Sequence, residues 1–249
     1  MSINTTDKVC FITFGKRYGK ACPGADGAKI VKSFFQNVEV VPFSPDETEH
    51  HDPEREQSRK VGVRKLLDTL EYDYLISYWG FLYLRSKDFV KATKGAINFH
   101  PCPPEAPGLA CYVFPMLHPE QRNIGGVTVH EVNRKFDNGT IYQAMRFPIN
   151  AGMSGQELVA KSMSCGLEAL TRVCEQLSLT GCHTSALMRP ECVTERWGDR
   201  YFSGEFEKEL IRDLPCGHPI RELNLFDGKY IYNDPDAPLD EEIVENYEF

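Results

Sequence analysis

No stretch of this chain is apolar for the roughly 20 residues that a membrane-spanning helix needs, and Met1 to Asp7 lack the charged and apolar blocks of a secretory leader. Those two absences make a cytoplasmic protein the expectation, with no membrane partner. Positive charge is short as well. The 28 Lys and Arg stand against 36 Asp and Glu, a net charge of −8, which argues against nucleic acid as a partner because that surface wants a basic face. Cys-x-x-Cys pairs are missing. The 9 cysteines lie scattered between Cys10 and Cys216, odd in number and without zinc spacing, so neither a metal site nor a disulfide framework is expected. A Gly-x-Gly-x-x-Gly run is missing too. Gly15, Gly19, Gly24 and Gly27 follow the first apolar stretch at other intervals, and Gly15 to Ala21 has no phosphate-loop Ser or Thr.

What is present reads as an alternating α/β chain. Lys8 to Phe14, Val38 to Pro42, Tyr74 to Tyr78 and Gly95 to Phe99 are short apolar runs of the kind that form buried strands. Helical spacing falls between them: Ile30, Val31, Phe34 and Phe35, then Val61 to Leu70 from about Ser58, then Ser86 to Ala92. The polar stretch Phe43 to Gln57 reads as a surface loop. This order predicts a mostly parallel sheet with helices on both faces. A short helix near Cys111 to Leu117, two strands over Gly126 to His130 and Thr140 to Ala144, and a long helix from Ser154 to Leu179 follow. The first domain is expected to close near Gly181, giving a unit over 1–181 and a small C-terminal appendage over 182–249. In the appendage, Asp227-Gly228 between Leu223 and Tyr232 predicts a β-hairpin, and the last stretch is acidic.

The chemistry gathers in two segments. One runs from Gly95 to Gly108 and contains Asn98, His100 and four prolines; the other runs from Gly125 to Gly139 and contains His130 and Asp137. Asn98 and His100 are two apart at the carboxyl end of a strand, so their side chains share a face at the edge where open α/β sheets bind ligands. The prolines stiffen the exit from His100. Asp137-Asn-Gly139 reads as a turn whose carboxylate can reach the imidazole, although it also suits a simple Asx turn. Lys16, Arg17 and Lys20, in the Gly-rich turn after the first strand, can meet an anionic substrate at the same edge.

Asn98-Phe-His100-Pro101, Pro107-Gly108, Gly126-Val-Thr-Val-His130 and Asp137-Asn-Gly139 together resemble the formyltransferases that use 10-formyltetrahydrofolate. The resemblance covers about residues 70 to 150 and implies a Rossmann-like formyltransferase fold. It implies that Asn98, His100 and Asp137 are catalytic: Asn98 stabilises negative charge on the formyl oxygen, His100 passes protons and Asp137 holds the imidazole. It also places the folate against Phe81, Leu82, Tyr83 and Leu84, with Val132 to Phe136 facing them, and requires no metal. The same aromatics suit plain core packing equally well.

The exit loop departs from the family pattern. Cys102-Pro-Pro-Glu105 stands where Ser-Leu-Leu-Pro is usual, so Cys102 and Glu105 become candidates for contact with the acceptor. The Gly-rich turn does not match the glycinamide ribonucleotide enzymes, and neither length nor charge suits a methionyl-tRNA enzyme. A core followed by a short tail is most similar to the sugar N-formyltransferases. The acceptor implied is the amine of a nucleotide-linked amino sugar, and the tail, through Tyr230, Ile231 and Tyr232, is expected to support a homodimer. A formyltransferase for another amine, such as glycinamide ribonucleotide or an amino acid, stays open. So does a non-catalytic relative that only binds folate or a nucleotide.

Overall fold

The computed structural model describes residues 5–13, 23–43, 53–80, 82–108, 123–150 and 153–202, with single positions at 209, 212, 214 and 215. Lys16, Arg17 and Lys20 of the Gly-rich turn, the helix expected near Cys111, Phe81, and the hairpin and acidic tail all lie outside the described residues, while Gly24 and Gly27 fall within the first helix.

Six strands form one sheet: β1 (Thr5–Thr13), β2 (Phe35–Pro42), β3 (Tyr74–Tyr78), β4 (Ala96–His100), β5 (Ile124–Glu131) and β6 (Ile141–Pro148). Their order is β2-β1-β3-β4-β5-β6. β2, β1, β3 and β4 run parallel, while β5 and β6 add antiparallel at one edge. The expected parallel α/β architecture is therefore present, with a two-strand antiparallel extension. Helices α1 (Pro23–Phe34), α2 (Pro53–Thr69), α3 (Ser86–Val90) and α4 (Gly155–Thr180) cover it. Two expectations are corrected: Phe35, placed with the first helix, opens β2, and the polar stretch taken as loop through Gln57 is helical from Pro53. Proline suits a first helical position, where its missing N–H has no partner to lose.

Alternation along the strands builds two cores. Val9 and Phe11 of β1, Tyr74, Ile76 and Tyr78 of β3, and Ile97 and Phe99 of β4 meet Val31 of α1 and Leu170, Val173 and Leu177 of α4. Cys10, Ile12, Leu75 and Ala96 point to the other side and meet Leu67 of α2, with Leu82, Leu84 and the half-buried Phe89 beside them. Ala96 fixes the parity of β4. Asn98 and His100 share its face, opposite the α4 layer. No helix among the described residues is long and apolar enough to cross a membrane.

The long helix is bounded by local chemistry. The hydroxyl of Ser154 accepts the N–H of Glu157, the Glu157 carboxylate accepts the Ser154 N–H, and Gly181 closes the other end in the left-handed region at φ 59°. Ser154→Ala is expected to lower stability by about 1 kcal/mol, read as a lower denaturant midpoint at unchanged slope. Beyond Gly181 the described residues 182–202 return along the sheet. Leu187 and Phe202 join the α4-side core, and Thr184 N–H donates to the Lys94 carbonyl at 2.8 Å.

Candidate active site

β4 and β5 build the site. Asn98 pairs with His130 and His100 with Thr128 in the antiparallel register, so all four side chains lie on one face at the carboxyl end of β4. Thr128 then uses its hydroxyl to hold the exit loop, donating to the Cys102 carbonyl at 2.7 Å. After β5 the chain turns at Asp137, whose φ of 42° is in the left-handed region that Asp tolerates better than most residues. Gly139 completes the turn, and only glycine fits there because a Cβ would overlap the Glu131 carbonyl.

Asp137 collects three partners. Its Oδ2 accepts the Gly108 N–H at 2.9 Å and lies 3.4 Å from His100 Nδ1, while Oδ1 lies 3.5 Å from His130 Nε2. Burial alone would raise its pKa. The opposing pull of His100, of His130 and of the Gly108 N–H outweighs burial and holds the carboxyl well below the usual carboxylate range. Both histidine distances exceed an ordinary hydrogen bond, and each is an ion pair only when the imidazole nitrogen facing Asp137 carries a proton.

Hydrogen-bond bookkeeping assigns the rings. His130 Nδ1 is 2.8 Å from the Glu131 carbonyl, an acceptor only, so Nδ1 carries a proton. In the neutral ring Nε2 is then an acceptor, and Asn98 Nδ2 donates to it at 3.0 Å. One N–H of the Asn98 amide is thereby fixed and the second is left for a ligand. His100 Nε2 donates to the Ala106 carbonyl at 2.7 Å while Nδ1 faces Asp137, so both nitrogens find partners only when each carries a proton.

The structure thus brings Asn98, His100 and Asp137 into one cluster and adds two members that the sequence expectations lacked. His130 is one. Trp197 is the other, its indole set edge-to-face against both imidazoles. Of the residues expected to face folate, Tyr83 and Phe136 meet at 5.2 Å between ring centroids. Leu82 and Leu84 are buried in the α2-side core and Val132 packs against it. Cys102 lies in the opposite core at 2% exposure, and Glu105 forms an ion pair with Arg146 at 2.9 Å. A cavity of about 170 Å³ opens beside Asp137, walled by Pro107, Phe136, Trp197 and Tyr201 with Arg134 and Lys135 at its side. Aromatic walls suit a planar ring, and the two cations are matched by the carboxylates of Asp137 and Asp199, which line the same space.

Comparison with known proteins gives a consistent outcome. A family model described as formyl transferase matches residues 23–174. No curated protein matches the chain significantly. Among solved structures, the fold is similar to that of an N-formyltransferase from Helicobacter canadensis in complex with folinic acid and dTDP-3-aminofucose. There the TM-score is 0.54 and the identity 17%, over 81% of this chain and 72% of that one. It is also similar to a formyltransferase from Anoxybacillus kamchatkensis in complex with UDP-4,6-dideoxy-4-formamido-L-AltNAc and tetrahydrofolate, at TM-score 0.55 and 18% identity over 86% and 97%. A third is the phosphoribosylglycinamide formyltransferase from Streptococcus pneumoniae TIGR4, at 0.51 and 15% over 69% and 99%.

Proposed function

The chain belongs to the formyl transferase family, and from that premise we propose that it moves the formyl group of 10-formyltetrahydrofolate onto the amine of a nucleotide-linked amino sugar. The observation that carries the chemistry is the joint hold of Asp137 on His100 and His130, with Asn98 oriented by His130 beside them. The folate donor is supported by the folate compounds named with two of the similar structures. The residues present suit such a donor: Tyr83 and Phe136 offer ring faces, and Phe136 is 39% exposed.

The transfer forms a bond between the acceptor nitrogen and the formyl carbon and breaks the bond from that carbon to the folate nitrogen. Asn98 donates its second amide N–H to the formyl oxygen as negative charge gathers there. His100, protonated on both nitrogens, first supplies its Nε2 proton to the departing nitrogen and then takes the proton released by the acceptor amine, exchanging the Ala106 carbonyl for substrate on its Nε2. Asp137 keeps the imidazole oriented and balances its charge. The cavity beside Asp137 is the space into which the acceptor reaches.

For the acceptor, the support is the extent of the match. The two structures holding sugar nucleotides align with 81% and 86% of the chain, against 69% for the glycinamide ribonucleotide enzyme, so the likeness includes residues past the common core. The homodimer and the cytoplasmic setting belong to the same proposal. Purified protein with 10-formyltetrahydrofolate is expected to formylate at least one dTDP- or UDP-linked amino sugar, seen as a mass gain of one formyl group. Turnover of glycinamide ribonucleotide with no sugar nucleotide accepted would replace the sugar assignment while keeping the family chemistry.

A further inference from the structure

We propose that Trp197 is a positioning residue for the catalytic imidazoles and that the strap carrying it, 195–202, is a working part of the site. What the imidazoles do rests on the formyl transfer proposed above; where they are held does not. The indole lies 4.9 Å from the His130 ring at 88° and 5.9 Å from the His100 ring at 65°, the edge-to-face arrangement that aromatic pairs prefer. A single side chain therefore spans both rings that Asp137 holds. His100 and His130 keep 4% and 3% exposure, so the indole and its neighbours leave them almost no contact with water. Exclusion of water strengthens the attraction between the rings and Asp137.

The indole is itself fixed by contacts to each half of the site. Its Nε1–H donates to the Gly139 carbonyl at 2.8 Å, which ties it to the turn that carries Asp137. Gly198 N–H donates to the Pro104 carbonyl at 2.9 Å and Phe202 N–H to the Pro107 carbonyl at 2.8 Å, which tie the strap to the loop leaving His100. Gly108 bridges directly to Phe202 with φ of 100°, and a Cβ there would overlap the Phe202 carbonyl. Arg146 locks the same pair of segments, donating to both Glu195 oxygens at 2.8 and 2.6 Å and to Glu105 at 3.0 Å. Trp197 is thus held to the Asp137 turn and to the His100 loop at once.

The test separates holding from chemistry by reading each. Trp197→Leu keeps apolar bulk without an aromatic face, and Trp197→Phe keeps a ring without the indole donor. In Trp197→Leu the imidazole proton signals of His100 and His130 should move and kcat should fall on the order of tenfold, with KM for the formyl donor nearly unchanged. Trp197→Phe should recover most of that loss. Imidazole signals and kcat that both match wild type in Trp197→Leu would overturn the proposal, as would equal damage in the two variants. Imidazole signals that move while wild-type protein transfers no formyl group would instead remove the assigned reaction and leave the positioning role standing.

Discussion

His100→Ala is expected to lower kcat for formyl transfer by roughly two to four orders of magnitude, the usual contribution of a positioned acid–base group. The ring is buried, bonded through Nε2 to the Ala106 carbonyl and opposed to Asp137 through Nδ1, so its removal has a structural cost as well. Truncation leaves the Ala106 carbonyl and a half-buried carboxylate without that partner, about 1–3 kcal/mol for an orphaned polar group. His100→Gln divides the two effects. A glutamine amide can still donate to the Ala106 carbonyl but cannot pass a proton at neutral pH. His100→Gln should therefore keep a denaturant midpoint closer to wild type while its kcat stays as low as that of His100→Ala. A kcat within about threefold of wild type for His100→Gln would remove His100 from the proton path.

Strands β1 and β3 were plain in the sequence because both faces are buried, which forces continuous apolar runs such as Tyr74 to Tyr78. The edge was harder to see. β6 was expected to end at Ala144 yet continues to Pro148, since its outer half alternates half-buried and exposed residues as an edge strand does. Asn98, His100 and Asp137 were legible because a strand end and a turn are local features. His130 sat in view within the matched motif, but its role depends on the β4–β5 register, which places it opposite Asn98 and which no local pattern states. Strand parity from Thr128 to His130 was the only available signal.

Trp197 left less trace. Its flanks, Glu195-Arg196 and Gly198-Asp199, are polar and without periodicity, and its partners lie 58 to 97 positions earlier in the chain. Sequence distance of that kind carries no helix or strand signature. Composition offered one hint, that a chain with 2 tryptophans had placed one of them in a polar segment.

Asp137→Asn is expected to be the most damaging change of near-equal shape. Asparagine tolerates the left-handed backbone at φ 42° and its Oδ1 can still accept the Gly108 N–H, so the turn survives and the lost quantity is charge. Without that charge the two imidazoles face an amide, His100 loses the partner that balances its protonated form, and kcat should fall at least about a hundredfold. Stability should fall by about 1–3 kcal/mol at neutral pH, the scale of a charge-assisted contact in a mostly covered site. The sign of the pH dependence follows from the depressed carboxyl of Asp137. A group whose pKa is lowered by folding stabilises fully above its unfolded value, roughly 3.9 for Asp, and loses that stabilisation as pH falls toward the folded value. The gap between wild type and Asp137→Asn should therefore stay level above about pH 5 and narrow below it, measured as denaturant midpoints across an acid series. A gap that widened on acidification, or that stayed level down to about pH 2, would mean that Asp137 is not the anion holding the two rings.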